Sequence, residues 1–149
     1  MTVGKVCNRE VIVIDKTASI AEAARLMREY HVGDLVVVEE RTGKRVPVGI
    51  VTDRDIVLEV IAAGVDMSDV NVGDIMSNNL VTARETDSVL ETVKIMRAKG
   101  IRRLPVINDD NDLVGILAVD DLIDLFSEQI VDLARLIARE QQREKEKRK

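Results

Sequence analysis

Short β-branched runs alternate with stretches of helical period along this chain, and the alternation occurs twice. Val11-Ile12-Val13-Ile14 is a β-branched run too short for a helix, and Leu80–Ala83 stands in the matching place later. Each run is followed by a helix-start signature, Ser19-x-x-Glu22 and then Ser88-x-x-Glu91. Beyond these, Ile20, Ala23, Ala24 and Met27 fall on one helical face, as do Val89, Thr92, Val93 and Met96. Gly33 and Gly100 follow as stop signals. Paired apolar runs come next. Leu35–Val38 and Val46–Val51 flank Arg41-Thr42-Gly43-Lys44, and Leu104–Ile107 and Leu113–Leu117 flank Asn108-Asp109-Asp110-Asn111, which predicts two hairpins. The near-continuous apolar strands predict sheets covered by helices on one side and by the other copy elsewhere.

Sliding the chain over itself by 69 positions brings Val3-Gly4 onto Val72-Gly73, Ser19 onto Ser88 and Met27-Arg28 onto Met96-Arg97. After the hairpin turn the offset falls to 66, aligning Gly49-Ile50 with Gly115-Ile116 and Asp55 with Asp121. The reading is therefore α/β (α+β): two pseudo-two-fold related strand–helix–hairpin–helix repeats. Repeat 1 covers 1–64, a linker 65–71, repeat 2 72–126, and a helical extension with a polar tail 127–149.

The chain pivots on the junction Val48–Val57. A strand ending at Thr52 feeds straight into a helix led by Ile56 and Val57, which Gly64 is expected to end. Thr52 suits the N-cap, and the Asp55 carboxylate would stand at the positive end of the helix dipole. The last helix is expected from near Val119 past Ala138. Phe126, Ile130, Leu133 and Ile137 recur at spacings of four, three and four, as in a heptad seam, while Leu125, Val131 and Leu136 widen the stripe. Such a helix packs on its own sheet or meets the same helix of a second subunit. Glu140–Lys149 reads as a frayed, solvated tail.

Composition narrows the function classes. The formal net charge of −5, with Tyr30 and Phe126 the only aromatics, disfavours a nucleic-acid partner. Cys7 and His31 are the only residues of their kinds, too few for a thiolate metal cluster or a convincing nucleophile–base pair, so catalysis is not expected. The amino terminus lacks a signal-peptide core, and no apolar run reaches the ~20 residues a membrane span requires, which makes the cytoplasm the default.

Two tandem units ending in Gly-apolar-apolar-Thr-x-x-Asp resemble a cystathionine-β-synthase (CBS) domain pair, the Bateman module, from about Val3 to Leu125. Val72-Gly73-Asp74-Ile75-Met76 and Gly100-Ile101-Arg102-Arg103-Leu104-Pro105-Val106 also look like that family. The resemblance implies repeats meeting through their sheets with two clefts between them, and a disc-shaped homodimer. It further implies a non-catalytic sensor of AMP, ADP, ATP or NAD, with S-adenosylmethionine as an alternative, signalling to an effector protein that the sequence does not name. A ligand-free dimerisation or adaptor module is the other reading.

The family's motif, carried onto this chain, gives Asp55 the ribose hydroxyls and Thr52 the phosphate, unless the two merely cap the helix. Asp53 and Arg54 share that turn and can face either way. In the second copy Asp121 keeps the ribose role, but Ala118 supplies no hydroxyl. Arg102 and Arg103 match positions that reach phosphate, where the first copy has Gly33 and Asp34. Val13 with Ile14, and Thr82 with Ala83, match the adenine slot, with Lys5 a further candidate. For each of these, plain core packing is the competing reading.

Overall fold

Ser19 and Ser88 start helices because each hydroxyl accepts the amide of the residue three positions on, Glu22 and Glu91 respectively. The computed structural model describes residues 1–148 and divides the chain into two compact units, Met1–Leu117 and the remainder from Ala118.

In the first unit, α1 (Val3–Val6) leads into β1 (Val13–Asp15), α2 (Ile20–Tyr30), β2 (Asp34–Arg41) and β3 (Lys44–Thr52). Next come α3 (Asp53–Ile56), a π-helical turn (Val57–Ile61), a 3-10 turn (Met67–Asp69), α4 (Val72–Ile75), β4 (Ala83–Arg84), α5 (Val89–Lys99), β5 (Arg103–Ile107) and β6 (Leu113–Ala118). The second unit is the single helix α6 (Val119–Lys147).

Two three-stranded sheets result, ordered β1-β2-β3 and β4-β5-β6. β1 runs parallel to β2 across the α2 crossover, and β3 returns antiparallel beside β2. The predicted apolar run of β2 is explained by burial of both faces. Leu35 and Val37 pack with Ile20, Ala23 and Met27 of α2, whereas Val36 and Val38 meet Leu113 of the second sheet. The expected arrangement, helices outside and sheets facing one another, is the observed one.

The repeats exchange their leading segments. Val3 and Gly4 of α1 donate backbone hydrogen bonds to Asp87 and Glu85 of the second repeat, and the Asn8 amide donates to Ile116. Reciprocally, Val72 and Gly73 of α4 donate to Ala18 and Lys16 of the first repeat, and Ser77 to Ile50. Gly49 and Gly115 make the exchange possible. A Cβ at Gly49 would lie 2.6 Å from Met76 Sδ, and one at Gly115 would lie 2.7 Å from Cys7 Sγ.

Several boundaries depart from the sequence reading. The helix α2 stops on His31, which takes the left-handed conformation at φ 55° and donates its amide to Met27, so Gly33 is not the stop. Gly33 serves another purpose: its carbonyl accepts the Asp53 amide at 2.9 Å, and a Cβ there would meet the Asp53 carboxylate at 3.2 Å. The strand expected at Leu80–Ala83 is Ala83–Arg84, and the one expected at Val11–Ile14 is Val13–Asp15. Apolar character there marks burial beside the strand as well as within it. The helix from Asp53 widens to π-type winding before reaching Gly64. The stretch from Glu140 is helical to Lys147, and i,i+4 contacts such as Gln142–Glu146 and Arg148–Glu144 support the winding.

Candidate functional site

The β3–α3 junction is a closed capping box. Thr52 Oγ accepts the Asp55 amide at 3.0 Å, and Asp55 Oδ2 accepts the Thr52 amide at 2.9 Å. The hairpin register sets Asp34 directly opposite Thr52. Asp53 turns back on its own turn, its Oδ1 accepting the Arg54 amide at 2.8 Å. Three carboxylates therefore gather at the end of one hairpin.

Arg103, at the start of β5, comes to them from the second repeat, with its Nε 3.4 Å from Asp34 Oδ1. Burial pushes the Asp34 carboxyl above its ordinary range. Arg103 opposes that shift, and the neighbouring Asp53 charge adds to it. The arginine expected to serve phosphate is thus committed to a carboxylate that is only 12% exposed.

Arg103 also lines a recess of about 70 Å³ with Ile50, Ser77, Asn79, Leu80, Val81 and Ile101. Small-molecule sites span roughly 300–1,000 Å³, so the recess can hold only part of an adenosine-sized ligand. It joins β3 of the first repeat to the segment before β4 of the second. Residues of the second repeat thus meet Ile50 of the first, two positions before Thr52.

Of the residues expected at a site, Thr52, Asp53, Asp55 and Arg103 come together around Asp34. Arg102 is exposed next to Arg103. Thr82 is exposed beside buried Ala83, close in sequence to the recess wall at Leu80 and Val81. Val13 opens β1 opposite Val36 and packs into the cluster where the sheets meet. Lys5 is exposed on α1, the segment that docks on the second repeat. Ala118 is the N-cap residue of α6 and supplies no side-chain cap, and Asp121 lies exposed in that helix's first turn.

Sequence reasoning passed over Asp34, Ile50, Ser77 and Asn79. The position of Asp34 was not readable from the turn: counting back pairs it with Val51, and a register shift between Val37 and Val38 moves it opposite Thr52. Ser77 and Asn79 reach the recess only through the exchange of segments, which leaves no local signal. Among the described residues no group of three or more His, Cys, Asp or Glu side chains could hold a metal ion, and no helix is long and apolar enough to cross a membrane.

The sequence profile of the CBS domain matches residues 3–62 and 72–128. An uncharacterised protein of Methanopyrus kandleri is 41% identical over 123 residues, 83% of this chain, and the chain spans only 61% of that relative's length. A CBS domain-containing protein of Bacillus subtilis is 39% identical over 113 residues, 76% of each chain. Among solved structures, a CBS domain pair in complex with 5′-methylthioadenosine and S-adenosyl-L-methionine superposes with a TM-score of 0.72 at 29% identity, covering 87% of this chain and 98% of that one.

Proposed function

This chain belongs to the CBS domain family, and from that premise we propose that it is a non-catalytic sensor of an adenosine-containing ligand. Binding between the repeats would be passed to an effector protein as a change of conformation. The observation that carries this reading is the Thr52–Asp55 turn beside the inter-repeat recess. A carboxylate accepts at about four lone-pair positions, so the cap leaves Asp55 room for two vicinal ribose hydroxyls. Amides at the head of a helix suit an electron-rich oxygen.

The charge around the junction grades the ligands. Asp34 and Asp53 flank Thr52, and Arg103 offsets only part of their charge. A triphosphate meets repulsion there, while a 5′ substituent that is neutral or cationic, such as the sulfonium of S-adenosylmethionine, does not. The solved relative that holds 5′-methylthioadenosine and S-adenosyl-L-methionine is in keeping with this order. AMP and NAD, each with about two negative charges on phosphate, are the most acceptable nucleotides; ADP and ATP carry more.

Thermal unfolding with each of these compounds tests the proposal. A ligand at a hundred times its dissociation constant adds about 2.7 kcal/mol, a rise of several degrees for a chain of this size. S-adenosylmethionine is expected to give a larger shift than ATP. Asp55→Asn, which keeps an acceptor for the cap and loses the carboxylate charge, should abolish the shift at nearly unchanged apo stability. A flat response to every compound would favour a ligand-free adaptor, the second reading, to which the exposed apolar residues of α6 lend support.

A further inference from the structure

The offset of 69 positions that sets Leu35 on Leu104 and Val37 on Val106 also sets Asp34 on Arg103. The two are images of one another under the pseudo-two-fold, and they touch, with Arg103 Nε 3.4 Å from Asp34 Oδ1. A residue in contact with its own image lies beside the axis that relates them. In an exact repeat both would carry the same charge and repel; here one is an acid and the other a base.

The pair stands at the inter-repeat recess. Arg103 lines it with Ser77, Asn79 and Ile101, whereas Asp34 opens β2 opposite Thr52. Arg103 is 39% exposed and Asp34 12%, so a solute in the recess reaches the guanidinium more readily than the carboxylate. A planar guanidinium is well suited to phosphate. The Asp34 carboxylate, drawn out of water and facing the Asp53 charge, depends on the same group as its counter-ion. The hairpin turns are tied separately, by Lys44 Nζ 3.5 Å from Asp110 Oδ1 and by the Arg45 amide donating to Asp112 Oδ1 at 3.0 Å.

We propose that Asp34 is the specificity-determining residue of the recess: it withholds Arg103 from the anionic group of a ligand. A phosphate and the Asp34 carboxylate then compete for one guanidinium, and a ligand that wins it also breaks the ion pair between the repeats. A ligand with a neutral or cationic 5′ substituent leaves the pair closed. The charge class of the ligand thus decides whether this edge of the inter-repeat contact opens, while the contacts at the hairpin turns hold. The inference rests on the reading of the recess as a ligand site, yet the withholding of Arg103 from an anion can be measured without a nucleoside.

Asp34→Asn keeps the shape of the side chain and resembles the protonated form that burial favours, so the fold is expected to persist. AMP and 5′-methylthioadenosine share a nucleoside and differ in charge at the 5′ position. In isothermal titration calorimetry of the full chain, Asp34→Asn should shift the ratio of their dissociation constants toward AMP by about tenfold or more. Adding Arg103→Ala to Asp34→Asn should reverse that shift. An unchanged ratio, or one factor common to both ligands, overturns the proposal. A second measurement follows the Arg103 Nε–H signal by nitrogen-resolved NMR as inorganic pyrophosphate is added. The signal should move at lower pyrophosphate concentration in Asp34→Asn than in the unaltered chain. Equal responses, or none in Asp34→Asn, overturn the proposal. No heat with either nucleoside, together with the expected arginine response, would sink the adenosine reading and uphold the withholding of Arg103.

Discussion

Asp34 carries the most consequential environment of any single side chain in the first unit. Its carboxyl is drawn out of water opposite Thr52, faces Asp53, and has Arg103 as its counter-ion. The raised pKa means that the folded state favours the protonated form. The stabilisation from that proton is complete below the unfolded value, about 3.9, and is lost as pH rises through the higher folded value. Carboxyl-resolved NMR titration should therefore place Asp34 above ~3.9. Arg103→Ala should move it higher and Asp53→Asn should move it lower. A midpoint at or below the unfolded value in the unaltered chain would show that Arg103 outweighs burial and the Asp53 charge at this carboxyl. Asp15 behaves in the opposite sense, because hydrogen bonds from Thr17 hold its carboxyl below the usual range, so its share of stability is lost on acidification.

At the scale of elements, helix starts were legible and helix ends less so. Ser19, Ser88 and Thr52 cap through bonds that span three residues, which the sequence displays directly. At the end of α2 His31 is the capping residue and adopts a conformation normally left to glycine, while Gly33, the expected stop signal, is needed for close approach to Asp53. Winding of π type at Val57–Ile61 has no signature in residue pattern, since the apolar positions suit either helix. The glycines in β3 and β6 were noticed as a repeat, but their reason lies in a segment that crosses over from the other half. Gly49→Ala is expected to cost about 1–3 kcal/mol by overpacking against Met76 and the Ser77 carbonyl. Differential scanning calorimetry should show the transition lowered by several degrees. No loss would mean that the crossing segment yields easily.

At the scale of the whole first unit, duplication was legible and reciprocity was not. Backbone hydrogen bonds between distant segments depend on tertiary placement, and no residue type announces them. A chain lacking residues 1–8 should lose slow hydrogen exchange at the Ile116 amide, whose acceptor is the Asn8 carbonyl. Amides of β2 in the first repeat, which the missing segment does not touch, should keep their protection. Equal loss in both repeats would show that the unit unfolds as one body.

The traded segments also bear on ancestry. A solitary copy cut at the linker begins with a strip that has no seat on its own sheet, and it lacks the strip that its own sheet requires. Two solitary copies could complete one another only by swapping. The present chain has the connectivity that results when the genes of such a swapped pair are joined end to end. Its internal pseudo-symmetry is therefore that of a swapped pair carried on one chain.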